Sequence, residues 1–232
     1  MSNSPVKTAQ PAPGTAGAGL TTAAMRTLLA PLDGSRGRAD QLAGRLGEAI
    51  RLGLFPDGER LPAEPQFAEQ LGISTVTLRE ALAILREREL VTTRRGRHGG
   101  TFVRAPADRN EPLGRFSIQE LRDLGDQRCA VSGTAARLAA ERALPQEIHR
   151  LQEQVTRLAA AATAGERRRA DTQFTIEVAA AAQSPRLTHE EARLRAEIGD
   201  LLELSLDDDD HDALVGERRR LVAAIAGRRP EL

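Results

Sequence analysis

The chain has 232 residues with 33 basic and 33 acidic side chains, a formal net charge of zero, and 40% hydrophobic residues. No run approaches the roughly 20 apolar residues of a spanning helix, which argues against a membrane protein. Trp and Tyr are absent and Phe occurs five times, so the aromatic platforms that stack single-stranded bases are largely excluded.

The single cysteine, Cys129, rules out an intramolecular disulfide and a Cys-based zinc site within one chain, and fits a reducing, cytoplasmic setting. The zero sum hides a division. Residues 1–105 carry 14 Lys or Arg against 10 Asp or Glu, leaving 19 against 23 for the remainder. Lys7 is the only lysine, so almost all positive charge is guanidinium, suited to bidentate contacts with phosphate or guanine, with the codon bias of a GC-rich genome as the plainer explanation.

Residues 1–38, rich in Pro, Gly, Ala, Ser and Thr at their start and without a secretory h-region, read as a disordered tail. Leu42, Leu46, Ala49 and Ile50 then recur at helical spacing, up to a break at Gly53, Pro56, Asp57 and Gly58. Pro62 lies near the start of a second helix, through Glu64, Phe67, Ala68 and Leu71 to Gly72. Ser74 is a suitable N-cap for a third, with Leu78, Ala81, Leu82 and Leu85 on one face, running to about Arg88. Val91 to Arg95 and Thr101 to Arg104 read as strands of a hairpin whose turn contains Gly96, Gly99 and Gly100.

This order is that of a winged helix-turn-helix, expected over residues 39–105. It leaves the N-terminal end of the third helix free to enter a DNA major groove. Ser74, Thr75, Val76, Thr77 and Arg79 are its candidate reading residues. Arg94, Arg95, Arg97, His98 and Arg104 crowd the Gly-rich wing, with Gly99 and Gly100 shaping its turn, as contacts to backbone or minor groove require. An ordinary capped helix and a solvated basic loop are the plainer alternatives.

Residues 106–116 read as a linker, with Pro106 and Pro112 in it. Helices are expected at about Ile118 to Ala143, Gln146 to Thr163, Arg167 to Gln183, Pro185 to Leu206 and Asp212 to Ala226. Residues 117–232 are therefore an all-α bundle and the fold class is mainly α. The acidic cluster Asp207 to Asp212 lacks the spacing and glycine of an EF-hand and reads as a loop capping the next helix.

The segment from Leu61 to Leu82, with Ala49, Ile50, Gly53, Pro56 and Gly58 before it and Gly96, Gly100, Thr101, Phe102 and Val103 after it, closely resembles the GntR family signature. The second half resembles the FCD domain of the FadR subfamily through Arg128, the Ala-rich stretch Ala135 to Ala140, Asp171 with Phe174, and Leu221 to Ile225. The resemblance implies a DNA-binding transcriptional regulator, a homodimer on a palindromic double-stranded operator, acting as a repressor modulated by a small-molecule effector. Many members have Arg where this chain has Pro65 and Thr75. That change predicts a different operator or weaker selectivity, and leaves a dimeric scaffold that no longer reads DNA as the alternative.

In many FCD domains a metal is held by an Asp, a His four residues later and two further His. Here Asp171 is retained, but Thr175 follows it, Arg218 aligns with the second His position, and the third would lie beyond Leu232. No metal and no other cofactor is expected. His98, His149, His189 and His211 have no ligand spacing. Arg128 and Arg218, with Asp171 and Thr175, are candidates to bind an organic acid directly; solvation of both arginines, or pairing with Asp171, is the competing reading. No nucleophile–base constellation is visible, so an enzyme is not expected. The resemblance also implies one more helix after the segment Arg218 to Leu232. Without it the bundle is expected to be open on one side or its pocket degenerate.

Overall fold

The computed structural model describes residues 20–30, 37–96, 99–104, 117–198 and 208–230. The elements run α1 (Thr22–Leu29), α2 (Arg38–Arg51), α3 (Glu64–Leu71), α4 (Thr75–Glu87), β1 (Val91–Arg94), β2 (Gly100–Val103), α5 (Ile118–Arg142), α6 (Pro145–Ala159), α7 (Ala164–Ala181), α8 (Pro185–Ile198) and α9 (Asp208–Ala226). The mainly α class expected from the sequence, a winged helix-turn-helix followed by a helical bundle, is the architecture observed.

The expectation of a disordered tail over residues 1–38 is corrected at residues 20–30. Thr21 caps α1 by accepting from Ala24 N–H, and Leu20, Ala24, Met25, Leu28 and Leu29 are all buried. Their spacing makes one apolar stripe within an otherwise small and polar stretch. The rest of the tail, apart from Gly37 and Arg38, and the whole linker at 106–116 lie outside the described residues.

The turn Leu71-Gly72-Ile73 is made by Gly72 at φ +68°, which ends α3 in the left-handed conformation that suits glycine. Ser74 Oγ then accepts from Thr77 N–H at 3.0 Å and starts α4. α2 packs on α4, burying Leu46, Ile50, Leu78, Ala81 and Leu85. β1 and β2 are antiparallel, with Val91 opposite Val103 and Arg94 opposite Gly100. A third extended segment, not expected from the sequence, pairs with β2: Leu61 N–H donates to Thr101 O, and Val103 N–H to Glu59 O.

α5 starts with a capping box, Ser117 Oγ accepting from Glu120 N–H while Glu120 accepts from Ser117 N–H. Its first turns stand clear of the bundle, with Ile118 73% and Leu121 40% exposed, and Cys129 is exposed two turns further on. α9 begins at Asp208, so part of the acidic run read as a loop belongs to the first turn of a helix.

α7 lies at the centre. Ala170, Phe174, Val178 and Ala181 join the core of the bundle with Leu151, Leu158 and Val222, whereas Ile176 and Ala180 join the N-terminal core with Leu28, Leu46 and Phe67. A helix buried on all sides in this way carries no single apolar face, and its sequence shows none.

Candidate nucleic-acid interface and ligand cavity

The N-terminal turn of α4 faces outward. Ser74, Val76 and Arg79 are exposed and Thr75 and Thr77 half-buried. Val76, 61% exposed, is a large apolar side chain held in water at the tip of a helix, where a thymine methyl would shelter it. Arg79 Nε lies 3.0 Å from Glu64 Oε2 across the turn, in a pair whose arginine side chain is 64% exposed. So exposed a pair holds Arg79 weakly and leaves it free to exchange partners. Pro65 occupies the first turn of α3, where its missing N–H costs nothing.

On the wing, Arg94 and Arg95 are exposed, and the Arg94 guanidinium lies over the Phe102 ring at 4.7 Å from its centroid. A Cβ at Gly99 would stand 2.5 Å from the carbonyl oxygen of Arg94, so the wing turn closes only around glycine. Gly100, at φ +150°, lets Arg60 lie against the strand, with Arg60 Nε 2.7 Å from where its Cβ would be. Arg97 and His98 lie outside the described residues. Arg60, exposed beside the wing, was missed because its stretch reads as a loop between helices.

In the bundle, Asp171 is the hub of an ionic cluster. Arg195 Nη1 reaches Asp171 Oδ2 and Arg218 Nε reaches Asp171 Oδ1, both at 2.8 Å. Arg195 Nη2 donates to Thr175 Oγ1 at 2.5 Å, and that hydroxyl donates to the carbonyl oxygen of Asp171. Glu191, one helical turn before Arg195 on α8, accepts from Ser132 Oγ at 2.7 Å. Burial pushes the Asp171 carboxyl up, but Arg195 and Arg218 outweigh it and bring it down to about 2.

These groups border a cavity of about 60 Å³, lined by Arg128, Ser132, Phe174, Thr175, Arg195 and Arg218 among others. Burial lowers the pKa of Arg128, and the guanidiniums of Arg195 and Arg218 lower it further, against Asp171 and Glu191. Among the described residues around the cavity three guanidiniums face two carboxylates, an excess of one positive charge.

Of the sequence candidates, Asp171, Thr175, Arg128 and Arg218 come together here, with Arg218 engaged by Asp171. Arg195, Glu191 and Ser132 were missed. Glu191 and Arg195 stand at i and i+4, but in a chain with 28% charged residues such pairs are commonplace.

The donor set does not fit the metal of other FCD domains. Both oxygens of Asp171 are taken by guanidiniums, Thr175 stands at the next ligand position, and a divalent cation would sit among three positive charges. Among the described histidines, His149 is exposed beside Glu153 and His189 faces Glu48 of α2 at 3.8 Å. His211 is buried on α9, with neither ring nitrogen hydrogen-bonded.

The family model of the gntR bacterial regulatory proteins matches residues 38–103, and the FCD domain model matches residues 123–232. A candidate HTH-type transcriptional regulator of Mycobacterium gastri, RmpR, is 43% identical over 202 residues, covering 84% of this chain and 74% of that protein. The chain belongs to the GntR family. It has the FCD domain of the FadR-like subgroup, and its relatives are transcriptional regulators, not enzymes. A candidate L-lactate dehydrogenase operon regulatory protein of Escherichia coli is 36% identical over 123 residues, 49% of this chain and 47% of that protein. Among solved structures, Escherichia coli McbR/YncC is 21% identical, with TM-score 0.49 over 83% of this chain and 88% of that one.

Proposed function

We propose that this GntR-family regulator is a cytoplasmic homodimeric repressor of a palindromic operator, and that a small monocarboxylate bound at the Arg128 cavity modulates it without a metal. The excess guanidinium charge at that cavity carries the effector reading. Arg195 and Arg218 are already committed to Asp171, so Arg128 is the cation left to meet an incoming carboxylate, and the free volume admits only a few heavy atoms. The E. coli relative named for an L-lactate dehydrogenase operon fits an acid of that size.

On DNA, Thr75, Val76, Thr77 and Arg79 face bases from the N-terminal end of α4, where Ser74 caps the helix. Arg94, Arg95, Arg97 and His98 face phosphate or minor groove, on a wing shaped by Gly99 and Gly100. Thr75 in place of the more usual Arg shifts the reading from guanine toward a methyl or single hydrogen-bond contact.

Selection from random duplexes is expected to return a palindrome, and a reporter behind it should be repressed in cells. No enriched sequence would leave the scaffold alternative standing. Calorimetric titration with lactate, pyruvate and acetate should show binding to the wild type and a loss of at least about tenfold in affinity for Arg128→Ala, the scale of one charge-assisted hydrogen bond. Equal affinity for both proteins would remove Arg128 from the site.

A further inference from the structure

α1 is a short helix with a contact at each end. At its start, Thr21 N–H donates to Glu177 Oε1 at 2.7 Å and Thr21 Oγ1 donates to Glu177 Oε2 at 3.2 Å, so one buried carboxylate of α7 closes the helix N-terminus. Further along, Arg26 Nε donates to the carbonyl oxygen of Gln70, in the last turn of α3 and two residues before Gly72. Along the helix Ala24, Met25, Leu28 and Leu29 are buried, and α1 packs against α7, α8, α2 and α3. Leu29 also walls a cleft of about 160 Å³ with Ile73, Ser74 and Thr77, the residues that start the recognition helix α4.

The other end of this arrangement is the ligand cavity. Thr175 and Asp171 precede Glu177 on α7, and Ile176 and Ala180 of the same helix lie in the N-terminal core. A rigid helix packed in two cores cannot shift at Asp171 without moving Glu177 against α1. We propose that α1 is the mechanical link through which the state of the Asp171 cluster reaches the recognition helix. The inference rests on the reading of the Arg128 cavity as the effector site. α2 touches α8 directly, through Glu48 and His189 among others, whereas α1 joins α7 to the last turn of α3 through the Thr21 and Arg26 hydrogen bonds.

The test is amide hydrogen exchange of the full chain, read over residues 64–87. Arg218→Gln, which loosens the Asp171 cluster, is expected to change exchange there by about threefold, and by less than about 1.5-fold when Thr21→Val and Arg26→Ala cut the clasp, because the two sites then open independently. The same factor in both backgrounds, or no change with an intact clasp, would overturn the proposal. Asp171→Asn as the perturbation and Arg26→Ala alone as the cut, the latter at an exposed position, repeat the comparison should the first variants unfold. The titration with lactate, pyruvate and acetate judges the effector reading separately, since absent binding sinks that reading whatever the exchange shows.

Discussion

Asp171 shows what one buried carboxylate does between two guanidiniums, Arg195 buried and Arg218 half-buried. Removing it by Asp171→Ala leaves Arg195, 4% exposed, without its main counter-charge, and should cost about 3–5 kcal/mol in urea unfolding. Because its pKa in the fold is about 2 against 3.8 unperturbed, its contribution, about 2 kcal/mol, is complete above pH 3.8 and is lost as pH falls toward 2. His189 acts in a different window. Burial holds its pKa below 6.5, against the pull of Glu48 and Glu190 and with Arg45 and Arg193 nearby, so the stability of its neutral form is present above 6.5 and is lost as pH falls from there through the lower pKa of the folded state. Burial raises Glu177, which works in the opposite sense as pH falls, so the comparison must be with a variant. The thermal midpoint of His189→Gln should fall less between pH 7 and 5.5 than that of the wild type.

At the scale of elements, the work on DNA divides, in the proposed reading, between α4 and the wing. Arg79→Ala and Val76→Ser should each narrow the gap between specific and random duplex, Arg79→Ala by about 1–3 kcal/mol. Arg94→Ala and Arg95→Ala should weaken all sequences and flatten the salt dependence by about one unit of slope each. Gly99→Ala should impair DNA binding with little loss of global stability, since the clash is confined to the turn.

These elements were legible because glycine and proline punctuate them: Gly53, Gly58, Gly72 and the wing glycines mark where one periodicity stops and another starts. α1 was not, because its five apolar residues follow a stretch of small and polar ones and its burial depends on α7 and α8, more than a hundred residues away. α7 was legible as a helix, but its place in two cores was not, since periodicity reports one apolar face and α7 has none. The candidate site was half legible: a resemblance marked Asp171, Arg128 and Arg218, while Arg195 and Glu191 acquire meaning only where α8 crosses α7.

Over the whole molecule, the shared helix predicts cooperativity. Since Ile176, Ala180 and Ala192 belong to the N-terminal core, the protein should melt in one calorimetric transition with matching van't Hoff and calorimetric enthalpies, not in two. Leu28→Ala, at a side chain 1% exposed on α1, should cost about 2–5 kcal/mol and lower that single midpoint without splitting it.

The exposed thiol of Cys129 stands next to Arg128 on α5. As the only cysteine of a chain without Trp or Tyr, it gives a spectroscopically silent protein one native anchoring point for an environment-sensitive dye. A ligand entering beside Arg128 would then report its own arrival as a change in emission, with no engineered residue and no background to subtract.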